Sequence, residues 1–125
     1  MNHLNSTILE GNIATDPIVK ETNNGDSVCT FKVASDRFYK KNSQTEKEVS
    51  FFEIQAWGKL AETIGKYGCK GRGIRVTGRL KQDRWDGPDG SQRSKVIIVA
   101  EHIELRKEGK EETKEEASEK IDGAE

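Results

Sequence analysis

The sequence predicts an all-β domain, a small barrel of five strands with one short helix between the third and fourth strands. Apolar and polar residues alternate along several short runs, as they do in half-buried strands. Dense turn signals, built on Asn-Gly and on Gly-Pro, separate these runs. One stretch has helical periodicity, and 125 residues correspond to a single domain.

The first part of the chain contains three runs with strand character. Asp16-Pro17 ends the first run, because proline lacks a backbone donor and restricts the residue before it. Residues 23–26 contain Asn-Gly and predict a hairpin turn, since both residues tolerate positive φ. Every second residue from Cys29 to Val33 is apolar and is predicted to face the core, and these are Cys29, Phe31 and Val33. The three runs are residues 4–13, 18–22 and 27–35.

Residues 48–62 predict a strand that continues directly into a helix. One face of this strand is apolar and is predicted to line the core, with Phe52, Ile54 and Ala56. Phe51 and Trp57 share the opposite face with a Glu and a Gln, so that face should meet water. The two rings are therefore either exposed flat surfaces or half-buried at the edge of the core.

The helix is predicted over Lys59–Tyr67, where apolar residues at i, i+4 and i+7 form one stripe. Gly68 is predicted to end it, since glycine tolerates a left-handed φ. Residues 36–47, which precede the strand, are polar and are predicted to form a loop.

The remainder of the body is predicted to form two strands joined by a turn. Residues 71–81 alternate, and three of four residues on the outer face are cationic. Residues 86–90 are the turn, and residues 94–100 return with a run of four apolar residues that suits a strand covered on both sides. The inner face of residues 71–81 is expected to consist of Ile74, Val76, Gly78 and Leu80.

Three barrel strands before the helix and two after it match an OB-fold, a five-stranded Greek-key barrel that removes open sheet edges. Residues 1–105 are predicted to form this domain. Residues 106–125 carry 5 Lys/Arg and 8 Asp/Glu with almost no apolar residue. An acidic, disordered tail is therefore expected, with a frayed helix over residues 111–121 as the alternative.

Catalytic and metal-binding motifs are absent from the sequence. It has no Gly-x-Ser-x-Gly, no His-Glu-x-x-His and no phosphate-loop pattern. Cys29 and Cys69 form no Cys-x-x-Cys pair, so neither a metal nor a cofactor is expected. The start lacks a basic and apolar leader, and no apolar run could span a bilayer. A cytoplasmic protein with no enzymatic activity and no membrane partner is expected.

Aromatic residues beside cations indicate a binding function. Any base can stack on an exposed ring, and Lys and Arg neutralise phosphates, so the pattern predicts single-stranded nucleic acid as partner. The alternative for each ring is core packing, and for the lysine-rich loop it is ordinary solvation. The candidate rings are Phe38, Tyr39, Phe51, Trp57 and Trp85. The candidate phosphate contacts are Lys40, Lys41, Lys59, Arg75, Arg79, Lys81 and Arg84.

Three sequence blocks together carry a family resemblance. They are Gly11-Asn12 with Asp16-Pro17, residues 57–62 (WGKLAE), and residues 78–80 (GRL) followed by Trp85. With these blocks the body, from about residue 4 to 105, resembles bacterial single-stranded DNA-binding proteins. The resemblance implies stacking at Tyr39 (with Phe38 as its neighbour), Phe51, Trp57 and Trp85, and basic contacts at Lys59, Lys70, Lys81 and Arg84. It also implies a nucleoid-associated homotetramer that binds single-stranded DNA in replication, recombination and repair.

The tail departs from the family pattern. Family members generally end a long Gly/Pro/Gln-rich linker in an acidic tip with Pro-Phe, which recruits other genome-maintenance proteins. Residues 106–125 contain neither Pro nor Phe, so recruitment by that route is left open. An OB-fold accessory replication factor that acts mainly as a protein-interaction module is therefore the alternative function, and RNA is the alternative ligand.

Overall fold

Seven strands and one helix make up the part of the chain that the computed structural model describes, residues 2–106 and 120–122. They are β1 (Thr7–Ile13), β2 (Ile18–Glu21), β3 (Ser27–Lys41), β4 (Gln44–Trp57), α1 (Lys59–Tyr67), β5 (Gly73–Asp86), β6 (Gln92–Leu105) and β7 (Lys120–Asp122). Strands β1, β5, β6, β4 and β3 pair in that order, and β1 also pairs with β3. The five strands close into a barrel, which confirms the predicted OB-fold with its helix between the third and fourth barrel strands.

The barrel closes where β1 crosses β3. Asn12 pairs with Ala34 and Ile13 with Val33, while most of β1 pairs with β5. At the crossing the two backbones approach so closely that a Cβ on Gly11 would overlap the carbonyl oxygen of Ala34. Closure of the barrel therefore requires a residue without a side chain at position 11.

The core lies inside the barrel and is covered by α1. Cys29, Phe31 and Val33 are at most 1% exposed, which confirms the predicted inward face of β3. Leu60 and Ile64 of α1 are buried in the same cluster, and Tyr67 packs against it. Each such apolar side chain stabilises the fold by about 1.5–3 kcal/mol relative to an exposed position.

Two glycines bound α1, whose limits are those predicted. Gly58 turns the chain from β4 into the helix with φ 64° and ψ −132°, a conformation that glycine adopts readily. Gly68 ends the helix, but the predicted reason is wrong, because its φ is −83°. A Cβ there would lie 2.7 Å from the carbonyl oxygen of Ile64, so a close approach favours glycine at this position.

Two long hairpins, β3–β4 and β5–β6, project from the barrel. The predicted loop over residues 36–47 is wrong, because these residues extend β3 and β4 to a two-residue turn. Asn42 and Ser43 form this turn with φ of 52° and 63°, which matches the twist of the flanking strands. Phe52 and Leu80 were expected in the core but are 40% and 47% exposed, because they lie where the hairpins leave the barrel.

Other turns and strands agree with the sequence. The β2–β3 turn passes through Gly25 at φ 85°, and the predicted turn before β6 closes with a hydrogen bond from Gly87 N to Ser91 O at 2.7 Å. The apolar run of β6 is buried on both sides from Ile97 to Ala100, although its first residue, Val96, is 62% exposed. Parallel pairing of β6 with β4 contributes to this burial.

The segment after β6 begins with an anchored residue. Arg106 donates its N–H to the carbonyl of Gly73 at 2.9 Å, and its own carbonyl accepts from Nε of the buried Arg72 at 3.1 Å. Lys120–Asp122 forms β7, antiparallel to β6, a strand that the sequence did not predict. The other residues of the predicted tail lie outside the described residues. Most of the segment expected to be disordered, and most of the alternative helix over residues 111–121, therefore falls outside the part of the chain that the structure describes.

Burial of Cys29 leads to a pH-dependent prediction. Burial raises the pKa of its thiol from 9.0 to about 11. The thiol's contribution to stability is therefore complete below about pH 9 and is lost as the pH rises towards 11, because the unfolded chain ionises first. We expect the free energy of unfolding in urea to fall more steeply over this window than in Cys29→Ala. Equal pH dependence in the two proteins would contradict the assignment.

Candidate nucleic-acid interface

The outer face of the β3–β4 hairpin carries three of the five predicted rings. Cross-strand partners in an antiparallel ladder lie on one face, and the register pairs Ala34 with Phe51 and Val28 with Trp57. Phe38 has the parity of Ala34 and Val28, so its side chain lies on this face as well. Since residues of the other parity fill the core, Phe38, Phe51 and Trp57 form a row on the outside of the barrel.

These rings are accessible to a ligand. Phe38 is 65% exposed, Phe51 63% and Trp57 39%. Phe51 and Trp57 are separated by six residues, which is about 20 Å along an extended strand. The structure therefore supports the exposed interpretation of Phe51 and Trp57 over core packing.

The indole of Trp57 is held by its own strand. Its Nε1 donates a hydrogen bond to Oε1 of Gln55 at 2.8 Å. A ring that is already held loses less conformational entropy when a ligand stacks on it. Gln55 thus pre-organises Trp57 on the outer face.

Trp85 extends the row on the neighbouring hairpin. It lies on β5 opposite Arg93 of β6 and is 45% exposed. Its parity is that of Arg79 and Lys81, on the outward side of β5. Because β6 pairs with β5 on one side and with β4 on the other, the outer surfaces of β3, β4, β6 and β5 are continuous. We call this surface, with Phe38, Phe51, Trp57 and Trp85, the ring face.

Tyr39 lies on the reverse of the β3–β4 hairpin. It has the parity of the core-facing residues of β3, opposite to that of Phe38. The guanidinium carbon of Arg37 lies 5.0 Å from the centre of its ring. The resemblance implied Tyr39 as the stacking residue with Phe38 as its neighbour, whereas the register places Phe38 in the row.

Cations on the ring face are paired with neighbouring carboxylates. Lys81 Nζ lies 3.5 Å from Asp83, and Arg79 lies 3.6 Å from Glu101. All four side chains are at least 31% exposed, so these pairs add little to stability. A phosphate could therefore replace the carboxylate partner of Lys81 or Arg79 at modest cost in free energy. A third cation, Lys40, lies on the same face of β3 as Phe38.

Four other predicted basic residues lie outside the ring face itself. By parity, Lys41 and Arg84 are on the reverse sides of their hairpins. Lys59 begins α1 two residues after Trp57. Lys70 lies in the turn before β5, where its backbone N–H donates to Oδ1 of Asp16 at 2.9 Å.

Arg75 belongs to a separate ionic cluster. Its Nε donates to Oε2 of Glu10 at 2.6 Å, and its NH1 nitrogen lies 3.5 Å from Glu104. Arg106 lies 2.7 Å from the same Glu10 carboxylate. Hydrogen bonds from Arg75 and then Arg106 lower the pKa of Glu10. Arg75 precedes Trp85 by ten residues on β5, so it lies far along the strand from that ring.

Lys95 of β6 is a candidate site residue that the sequence interpretation missed. Its Nζ lies 3.0 Å from each carboxylate oxygen of Glu53 and 5.8 Å from the centre of the Trp85 ring. The sequence contained a signal, because counting back through the predicted turn at residues 86–90 places Lys95 on the outward side, opposite Lys81. The observed hairpin turns one residue later, after Asp86, and pairs Lys95 with Asp83 on the same outward side.

Within residues 2–106 and 120–122, no group of three or more His, Cys, Asp or Glu side chains could hold a metal ion. In the same part of the chain no helix is long and apolar enough to cross a membrane. The ring face itself offers two kinds of contact, stacking on aromatic rings and ionic contact with Lys and Arg.

The fold is shared with a solved structure. A chain of the Plasmodium falciparum SSB complex with ssDNA superposes with a TM-score of 0.78, at 24% identity, over 85% of this chain and 97% of that one. At this level of identity the likeness shows the OB-fold.

Relatives found by sequence similarity identify the family more specifically than the shared fold does. The single-stranded DNA-binding protein of Treponema pallidum is 38% identical over 105 residues, 84% of this chain and 59% of the relative. Single-stranded DNA-binding protein 2 of Clostridium acetobutylicum is 38% identical over 86% of this chain and 80% of the relative. The Thermotoga maritima protein is 33% identical over 98% of this chain and 87% of its own length. The chain thus spans 59% of the first relative and most of the other two.

A family model provides the last comparison. The model described as the single-strand binding protein family matches residues 4–106, which include the whole barrel and the ring face. With this match, and with relatives 33% to 38% identical over most of its length, the chain belongs to the single-strand binding protein family.

Proposed function

We propose that the chain binds single-stranded DNA without sequence preference, in replication, recombination and repair. One observation carries the proposal: four exposed rings from three strands lie on one continuous outer surface of the barrel. Every base has a π-face, so a ring binds any base, with about 1–3 kcal/mol for each stacked base. The proposed stacking residues are Phe38, Phe51, Trp57 and Trp85.

Cations at the ring face would contact the phosphates. Lys40, Lys59, Arg79 and Lys81 lie on the face or at its end, and each would release counterions as it neutralises a phosphate. A strand that passes round the hairpins would meet the remaining predicted contacts, which are Tyr39, Lys41, Lys70 and Arg84. Arg75 would contact phosphate only after leaving Glu10.

We also propose that the protein acts as a homotetramer, without catalysis, in the bacterial cytoplasm at the nucleoid. Exposed apolar side chains in and before β1 support an assembly of copies, since Leu4 is 96% and Ile8 71% exposed. Four ring faces on one particle would let a long strand contact several barrels. A mass measurement with and without oligonucleotide would report the number of copies and the stoichiometry.

Titration with an oligo-dT of several tens of nucleotides tests the proposed function. The chain has two tryptophans, Trp57 and Trp85, and both are proposed to stack, so we expect their fluorescence to be quenched. The affinity should fall as salt rises. Unchanged fluorescence with no salt-sensitive binding would contradict the proposal and favour the protein-interaction alternative. Competition with oligo-U of equal length would decide between DNA and RNA.

A further inference from the structure

Glu53 is out of place on a face that would meet phosphates. It lies between Phe51 and Trp57 on β4, with the same parity as both rings. A carboxylate at this position repels an approaching phosphate chain. Its side chain is 22% exposed, compared with 31% for Asp83 and 55% for Glu101, the carboxylates that pair with Lys81 and Arg79.

Lys95 compensates this charge. Its Nζ lies 3.0 Å from both oxygens of Glu53, so the ammonium is centred on the carboxylate. The same Nζ lies 5.8 Å from the centre of the Trp85 ring, within the range of a cation–π contact. Lys95 therefore joins the two halves of the ring face, since Glu53 belongs to β4 and Trp85 to β5.

We propose that Lys95 is a positioning residue of the ring face: anchored on Glu53, it holds the Trp85 ring in line with the rings of β4 and cancels the carboxylate's charge. The proposal rests on the function proposed above. In contrast to a phosphate contact, an ammonium that stays on Glu53 releases no counterion from DNA when the complex forms. Lys95 thus affects affinity without adding to its salt dependence.

The first test reports on Trp85 without DNA. Trp57→Phe leaves Trp85 as the one tryptophan, so acrylamide quenching then measures its exposure. We expect Lys95→Met to raise the quenching constant by about half or more in this background, because the held ring is released. Lys40→Met, on the same face but far along the β3–β4 hairpin, should leave it unchanged. An unchanged value in Lys95→Met would overturn the proposal whether or not the protein binds DNA.

The second test uses the salt dependence of oligo-dT affinity with both tryptophans present. Lys95→Met should raise Kd several-fold and leave the slope of log K against log salt unchanged. Lys40→Met, a proposed phosphate contact, should reduce that slope by about 0.7. A reduction of this size in Lys95→Met would show that Lys95 binds phosphate instead, and the positioning role would be rejected.

Glu53→Gln provides an independent variant, which should change the salt dependence of affinity where Lys95→Met leaves it unchanged. It removes the anchor but keeps the ammonium, which becomes available to a phosphate. We expect the slope to steepen by about 0.7 and Trp85 quenching to rise as in Lys95→Met. An unchanged slope together with unchanged quenching would overturn the proposal. Circular dichroism would confirm that each variant keeps the fold, which the 45% exposure of Lys95 favours.

Discussion

Trp57→Ala and Trp85→Ala are each expected to weaken binding of oligo-dT by about 1–3 kcal/mol, which is roughly a 5- to 150-fold rise in Kd. Each ring is exposed on the ring face, so its removal takes away a stacking surface and leaves the core unchanged. The two effects should add to within a few tenths of a kcal/mol if each ring binds a different base. Fluorescence anisotropy of a labelled oligo-dT measures both.

Tyr39→Ala is the matched control for these two variants. Its ring is also outside the core but lies on the reverse of the β3–β4 hairpin. A long strand that passes round the hairpins would reach Tyr39, so the control uses an oligo-dT of about 15 nucleotides, near the upper limit for one OB-fold, which should occupy the ring face alone. With this strand we expect the Kd of Tyr39→Ala to change less than threefold. A loss as large as that of Trp57→Ala would show that DNA follows both sides of the hairpin. Unfolding of either tryptophan variant would show that its ring supports the fold.

The core was predictable from the sequence because it depends on local alternation. Cys29, Phe31 and Val33 alternate with polar residues, and all three are buried as predicted. The helix was predictable for the same reason, since one apolar stripe followed by Gly68 defines it. Such patterns report the face of an element, and the strand order then follows from the small number of folds that match it.

The ring face was only partly predictable, because the set of residues on it depends on how far the strands extend. Phe38 and Tyr39 are neighbours in sequence, and only a strand that continues to Lys41 places them on opposite faces. The polar composition of residues 36–47 concealed this continuation, since both faces of a projecting hairpin meet water. Phe52 was misplaced for a related reason, because its parity is inward but the barrel ends beside it.

The ionic partners of the cations could not be predicted from local sequence patterns. Arg75 alternates as an outward cation, yet Glu10, 65 residues away in sequence, accepts its hydrogen bond. Lys95 likewise meets Glu53 through the pairing of β6 with β4. Such contacts follow from the closure of the barrel, so they can be assigned only when the register of all five strands is known.

Closure of the barrel itself is the basis of the second large effect. Gly11→Ala is expected to lower the free energy of unfolding by about 1–3 kcal/mol or more, because the added Cβ meets the backbone carbonyl of Ala34. The Cβ added at position 11 and the carbonyl oxygen of Ala34 would overlap sterically. Strand β1 must therefore move away from β3 at the crossing where Asn12 pairs with Ala34. Urea unfolding followed by circular dichroism measures the change.

Gly73→Ala is the matched control, on the strand that pairs with β1, where Gly73 is opposite Asn12. Its added Cβ would lie 3.1 Å from the Cβ and Cδ atoms of Arg106, so Arg106 must shift by a few tenths of an ångström, whereas at Gly11 the added Cβ overlaps the backbone itself. An alanine in place of glycine also restricts the unfolded chain, which favours folding by about 0.4–1 kcal/mol where the site accepts it. Gly73→Ala should therefore destabilise the protein clearly less than Gly11→Ala, because a small shift of Arg106 relieves its contact. Equal stability of the two variants would show that β1 and β3 can separate without loss, and that the β1–β3 pairing contributes little to the closed barrel.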